Sequence, residues 1–403
     1  MCKGGDSVKL CFNHLLLAFS YALDCVEKDY FKTTSYHGKR VSYICLLLGE
    51  HFALNNQQLS DLVGCAILHD NGLTEYYKQG DNTQEAEFLK IHCEVGEENI
   101  DYIPFFEDVH NVILYHHEAV DGSGPFHKMI DEIPLYAQLI HIADWIDVNY
   151  NLQDMSEKEY QNILLELHKL RNKEFSDKVV DAYLAALTYD KIIINNDQLE
   201  NYLRENIHNI YQDFTDSQML AICQLFARII DSKSPPHTRT HSIGVASKAS
   251  YMALYYEYDE EMMLKLFFAG AMHDVGKLVI DRDVLEKPAQ LTDSEYTYMQ
   301  THAYYSYKIL SDMQLGEIVH WASYHHEKLD GSGYPFGKKA EELDFIDRLM
   351  ACCDIYQALT EDRPYKDAMS HEKSIEIMRS MAVGNKIDSQ IVEDMNKVFG
   401  KTS

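Results

Sequence analysis

The sequence predicts an all-α protein made of two helical domains in tandem, joined by an amphipathic helix. Three observations carry that expectation: a long-range repeat of rare residue types, apolar residues recurring at three- and four-residue steps, and a scarcity of alternating strand patterns. Hydrophobic residues make up 46% of the chain, enough to bury real cores, so disorder is not the default.

Cys65-Ala66-Ile67-Leu68-His69-Asp70-Asn71-Gly72 returns as Gly270-Ala271-Met272-His273-Asp274-Val275-Gly276. Tyr115-His116-His117-Glu118 with Asp121-Gly122-Ser123-Gly124 returns as Tyr324-His325-His326-Glu327 with Asp330-Gly331-Ser332-Gly333. Spacing agrees as well: His37 precedes His69 by 32 residues (69−37), and His241 precedes His273 by 32 (273−241). His92 precedes His116 by 24, against 23 for His302 and His325. Matched spacing of rare residues implies two homologous domains, with boundaries expected at 8–190, 191–233 for connecting helices, and 234–400.

Ile163, Leu164, Leu167 and Leu170 show the helical step within the first copy. Between the copies, Leu199, Leu203, Ile207, Ile210 and Phe214 form an apolar stripe on an expected helix. Such a stripe suits packing of one domain on the other, or a homodimer contact. Ser234-Pro235-Pro236 reads as a helix start, with Ser234 as cap and Pro235 in the first turn of a helix carrying His241.

The net charge of −28 argues against a nucleic-acid polymer as ligand, because that binding needs basic surface to neutralise phosphates. A small anion would need local cations or metal ions. The nine cysteines show no CxxC pair, which fits a reduced cytoplasmic protein. His14 to Ala22 is apolar but too short to span a bilayer, and no secretory pattern opens the chain, so no membrane association is expected.

The chemistry is carried by His241, His273, Asp274, His302, His325, His326 and Asp354. Neutral imidazoles with carboxylates suit divalent first-row metals, and no thiolate spacing points to a structural zinc knuckle. Seven such groups are too many for one ion that must keep a water, and about right for two. Asp274 is the natural bridge between them. Two ions roughly 3.5–4 Å apart can activate a bridging hydroxide for in-line displacement at phosphorus. Adjacent helical residues point about 100° apart, so His325 and His326 reach one centre best at a helix end, which the following Asp-Gly-Ser-Gly run supplies.

His273-Asp274-Val275-Gly276-Lys277, His325-His326-Glu327, Gly333-Tyr334-Pro335 and Asp354 resemble the HD-GYP family of the HD phosphohydrolase superfamily. The resemblance runs from about Ser234 to near the C-terminus. It implies an all-helical fold and hydrolysis of a cyclic dinucleotide, cyclic di-GMP first, to the linear dinucleotide or GMP. It implies two divalent ions, iron or manganese, held by the seven residues above, with Asp274 and Lys277 catalytic. Phosphate contacts are implied for Lys277, Tyr334, Arg363 and Lys366. Lys277 stands four residues after His273, which on a helix places both on one side. Cyclic GMP-AMP, another nucleotide phosphate, and a non-catalytic cyclic-dinucleotide-binding signalling role are the alternatives.

Three positions depart from the family. Members with a third metal carry a glutamate where His237 stands, so two ions are expected here. An arginine is usual where Gly244 stands, and the late Phe-Asp-Pro becomes Ile387-Asp388-Ser389; both changes are expected to touch packing more than chemistry.

The first copy keeps the ligand pattern in His37, His69, Asp70, His92, His116, His117 and Asp144, a second candidate metal site. Its phosphate groups are gone. Leu73 stands for Lys277, no tyrosine follows Gly124, and the stretch from Asp144 to Met155 is four residues shorter than Asp354 to Met369 (11 against 15). A regulatory or structural role is therefore expected for the first domain, because a diester needs charge neutralisation beyond the metals.

Overall fold

The computed structural model describes residues 8–31, 36–73, 85–101, 103–206, 211–232, 241–285, 287, 289–313, 315–362 and 368–400. The chain divides into two compact units, one of residues 11–211 and one of residues 212–403 with 1–10. Both are helical. Two four-residue strands, β1 (Val8–Cys11) and β2 (Tyr211–Phe214), pair in a two-stranded ladder.

The first unit holds α1 (Phe12–Phe31), α2 (His37–His51), α3 (Asn56–Leu68), α4 (Glu85–Ile100), α5 (Leu135–Asn149), α6 (Glu157–Leu170), α7 (Asp177–Ala186), the single turn α8 (Tyr189–Ile192) and α9 (Asn196–Asn206). Its centre is α2, buried from His37 through Gly49 and packed by α3, α5 and α7. An apolar run of Ile44-Cys45-Leu46-Leu47-Leu48 explains that position, because a helix apolar on every side must be covered on every side. Asn55 starts α3 by accepting from Gln57 and Gln58 N–H, and Gln58 returns a bond to Asn55 N–H.

The second unit repeats the order. It holds α10 (Asp216–Ser232), α11 (His241–Tyr255), α12 (Glu260–Met272), a 3-10 segment (Val275–Val279), α13 (Arg282–Leu285), α14 (Asp293–Asp312), α15 (Ile318–Ser323), α16 (Phe345–Thr360), α17 (His371–Val383) and α18 (Ser389–Phe399). Helix α11 packs on α12 and α16 as α2 packs on α3 and α5. Asp259, Thr292, Asp344 and Ser370 cap α12, α14, α16 and α17 through their side-chain oxygens.

The connecting stripe differs from expectation. It is helical over α9, where Leu199 and Leu203 are fully buried and α9 packs on α2. Phe214 belongs to strand β2 instead, because backbone pairing with β1 takes over there. Ile207, Ile210 and the Ser234-Pro235-Pro236 helix start lie outside the described residues, and α11 is described from His241 onward. The two leucines are covered within their own unit, so they offer no face to a second copy. The described free cysteines, among them Cys45, Cys65 and Cys352, are buried.

One close approach sets each site. A Cβ at Gly276 would lie 1.9 Å from the His302 carbonyl oxygen, and one at Gly72 would lie 2.0 Å from that of His92. Only glycine lets the helix carrying the third histidine press on the turn after the His-Asp pair. Ser306 tightens this contact, accepting from Gly276 N–H at 2.9 Å and donating to the His273 carbonyl at 2.7 Å. Gly276→Ala should therefore destabilise the second unit by more than about 2 kcal/mol, because backbone is in the way and cannot yield. Gly384→Ala, whose Cβ would meet nothing closer than 3.4 Å, serves as the neutral control. Urea unfolding followed by circular dichroism reads the difference.

Candidate metal centres

The candidate ligands of the second unit come from helix ends and from helix interiors. His241 opens α11 and His273 sits at the C-cap of α12. His302 lies in the middle of α14, and Asp354 lies within α16. His325 and His326 follow the short α15, past its C-cap Tyr324, where the backbone leaves helical geometry. All but His326 are buried.

The side chains meet around Asp274. Its Oδ2 lies 3.1 Å from His273 Nε2 and 3.8 Å from His241 Nε2, while its Oδ1 lies 3.4 Å from His302 Nε2 and 3.8 Å from His325 Nε2. One carboxylate thus faces two groups, one oxygen to each. Asp354 joins from the other side, 3.2 Å from His241 Nε2 and 4.0 Å from His326 Nδ1. Within each group, His241-His273-Asp274 and His302-His325-His326, the ligand atoms lie within 4.8 Å of one another. Atoms bound about 2.1 Å from a shared ion at ordinary coordination angles sit roughly 3.0–3.4 Å apart, close to these separations.

The hydrogen bonds decide which nitrogen faces inward. His273, His302 and His325 each place Nδ1 at 2.7 Å from the carbonyl three residues earlier, of Gly270, Met299 and Ala322. A carbonyl only accepts, so Nδ1 carries the proton and Nε2 presents its lone pair. Those three Nε2 atoms are buried with no hydrogen-bond partner among the described residues, as is Asp274 Oδ1. Each such group costs about 1–3 kcal/mol unless something binds it. The donor set therefore fits divalent metal.

Charge agrees. Burial pushes His326 down to about 3, lowers His302, and, with His326 and His273 adding to it, holds His325 well below the usual imidazole range. Neutral imidazole is the ligand form. Burial also opposes charge on His241, but the carboxylates of Asp354 and Glu361 outweigh it and hold it at about 9. For Asp274, desolvation is outweighed by His273 and Lys277, which keep the carboxyl well below its usual range.

The first unit arranges its counterparts in the same way. Asp70 Oδ2 faces His69 at 3.5 Å and His37 at 3.8 Å, and its Oδ1 faces His92 at 3.2 Å. Asp144 lies 3.3 Å from His37 and 3.9 Å from His117. His69 and His116 give Nδ1–H to the Ala66 and Ile113 carbonyls. Cys93, absent from the sequence pattern, joins the His92, His116 and His117 group. A further trio in the second unit, His320, Asp344 and Asp347, is half exposed and already bonded: His320 and the Asp344 N–H go to Asp347, and Trp321 goes to Asp344.

A family model for the HD domain matches residues 27–158 and 224–391. The chain belongs to the HD-domain family. Both copies are covered, and the motifs place it with HD-GYP-type members. It is 30% identical over 92% of its length to 88% of the 3'3'-cGAMP-specific phosphodiesterase 1 of Vibrio cholerae serotype O1. It is 33% identical over 41% of its length to 40% of a cyclic di-GMP phosphodiesterase of Pseudomonas aeruginosa. A crystal structure of a cyclic GMP-AMP-specific phosphodiesterase of V. cholerae superimposes with a TM-score of 0.65 over 98% of both chains at 21% identity, a likeness of fold.

Around the second HD centre, Lys277 Nζ lies 2.5 Å from Asp274 Oδ2. It reaches there on the 3-10 segment, where residues three apart eclipse, rather than by sharing a helical face with His273. Tyr334 lies over the same centre, its ring centroid 4.6 Å from that of His326 and 6.2 Å from that of His302. Arg363, Lys366 and His237 lie outside the described residues. In the first HD domain Leu73 is buried where Lys277 stands in the second.

Sequence reading missed the part played by Glu327. Its buried carboxylate accepts from Phe336 N–H at 2.7 Å and Lys338 N–H at 2.9 Å, which fastens the loop bearing Tyr334. Glu118 does the same for Phe126 and Lys128 in the first domain. The repeated His-His-Glu was the available signal. Glu327→Ala should speed amide exchange at Phe336 and Lys338 and cost about 1–3 kcal/mol. Unchanged exchange would show that the loop holds without the carboxylate.

Proposed function

We propose that the second HD domain is a metal-dependent phosphodiesterase acting on a cyclic dinucleotide, with 3'3'-cGAMP ahead of cyclic di-GMP. The observation that carries the reaction class is the Asp274 carboxylate between two sets of inward-facing imidazoles. In this reading His241, His273 and Asp274 hold one divalent ion, and His302, His325 and His326 hold a second, with Asp354 completing the set. Bound ions of the iron or manganese type supply Lewis-acid polarisation of the phosphate and a lowered pKa for water.

The chain's own residues do the rest. His302, His325 and His326 stay neutral and ready to act as ligands, whereas His241 must give up a proton when metal binds. Lys277, now on Asp274, would offset negative charge as the diester arrives. Two carboxylates against two divalent ions and one ammonium leave net positive charge in a chain of net −28, which is what a diester anion requires. Tyr334 offers an aromatic face and a hydroxyl beside His326. Arg363 and Lys366 would add cationic contacts, as the family resemblance implies.

The order of substrates rests on coverage. Two relatives aligned over 92% and 74% of this chain are 3'3'-cGAMP-specific enzymes of V. cholerae, whereas the P. aeruginosa and Thermotoga maritima cyclic di-GMP enzymes align over 41% and 57%. The sequence motifs alone placed cyclic di-GMP first, because they report the metal centre and not the bases. The first HD domain is read as a metal-binding regulatory or structural copy, since Leu73 stands where the second domain has the Lys277 ammonium.

Purified protein loaded with Mn²⁺ should linearise 3'3'-cGAMP with a kcat/KM at least tenfold above that for cyclic di-GMP. The reverse ratio would exchange the two substrates. Asp274→Ala should abolish turnover, and His69→Ala should leave it within a few-fold of wild type while removing metal from the first domain. Turnover that survives Asp274→Ala but falls with His69→Ala would move catalysis to the first domain. Metal analysis beside the assay distinguishes these outcomes.

A further inference from the structure

We propose that Glu361 is the positioning residue for His241, standing in for an arginine–aspartate pair that serves His37 in the first domain. The inference rests on the metal-site reading above. In the first domain, His37 Nδ1 lies 2.7 Å from Asp147 Oδ2. The same carboxylate takes Arg40 through Nε at 2.5 Å and Nη2 at 2.9 Å. All three residues are buried. Arg40 comes three residues after His37, and Asp147 comes three residues after Asp144.

The equivalent positions in the second domain are Gly244, three after His241, and Gln357, three after Asp354. Both members of the ion pair are gone. His241 Nδ1 meets a carboxylate all the same: Glu361 Oε2, at 2.7 Å. Glu361 caps the C-terminus of α16, one helical turn beyond Gln357. Gln357 Nε2 donates to that same Oε2 at 3.2 Å, and Gln357 Oε1 accepts from Lys248 Nζ at 2.5 Å. Lys248 stands one turn beyond Gly244 on α11. Cation and carboxylate have each moved one turn along their helices, with an amide linking them.

Gly244 belongs to this set. A Cβ there would lie 2.4 Å from Gln357 Cδ, where the linking amide sits. A glycine that departs from the family is therefore the space in which the replacement is built, a role beyond the packing effect expected of it. The carboxylate is needed for a physical reason. A negative acceptor on Nδ1–H fixes the ring and raises the basicity of Nε2, so a neutral acceptor holds metal less well.

The test uses full-length protein carrying His69→Ala and His116→Ala, one change in each ligand group of the first domain, so that Mn²⁺ titration reports on the second domain. Glu361→Gln should weaken Mn²⁺ binding about 10–100-fold, with KM for the dinucleotide nearly unchanged. Glu361→Ala should be at least as weak. Adding Gly244→Arg and Gln357→Asp to Glu361→Ala rebuilds the first-domain pair and should restore most of the affinity, which a merely structural role for Glu361 would not predict. Mn²⁺ affinity within twofold of wild type in Glu361→Gln overturns the proposal. So does a folded triple variant no tighter than Glu361→Ala, and this comparison decides the matter if Glu361→Gln fails to fold. His273→Ala is the control: if it also keeps full affinity, the metal-site reading itself fails, whereas if it loses metal and Glu361→Gln does not, only the role of Glu361 falls.

Discussion

The structure depends on the orientation of a few buried imidazoles. In each domain they give Nδ1–H to a carbonyl or a carboxylate on their own scaffold and turn Nε2 toward one carboxylate. For His273, His302 and His325 the acceptor is a backbone carbonyl three residues back, so the ring is set by the local chain and needs no distant partner. The Nε2 atoms of these three have no hydrogen-bond partner among the described residues, which costs free energy that a bound ion would offset. Helix ends, the 3-10 turn and the glycine contact at His302 all serve that convergence.

The two copies separate function from ligand pattern. Asp70 and Asp274 each place one oxygen toward each half of their centre, with similar distances. What differs is the wall around the centre. Lys277 against Leu73, and Tyr334 against a loop without tyrosine, change the charge and shape that a phosphodiester would meet. Cys93 adds a thiol to the first centre that the second lacks, its counterpart there being Ala303. Duplication has kept the expensive part, a desolvated cluster of imidazoles and carboxylates, while the periphery has diverged.

The groups behind the candidate ligands have diverged as well. His37 and His241 each meet a carboxylate at 2.7 Å, supplied from different positions on equivalent helices. A one-turn shift is available because residues four apart lie on the same helical face. Conservation of the interaction without conservation of the residue is what the need for a charged acceptor on a ligand histidine produces.

Much was legible from the chain alone. Spacing of His, Asp and Gly displayed the duplication, apolar residues at three- and four-residue steps displayed the helical class, and the seven candidate ligand positions of each copy stood out because a metal centre demands rare side chains at fixed intervals. Tertiary structure alone decided the rest: that Lys277 sits on Asp274, that Glu327 ties down the Tyr334 loop, that the stripe from Leu199 gives way to strand at Phe214, and that Glu361 reaches His241. The physical reason is common to all four. Ligand positions are dictated by residue chemistry, which a sequence displays, whereas a hydrogen-bond partner or strand pairing is a matter of which groups the packed helices bring within about 3 Å, and Glu361 and His241 stand 120 residues apart.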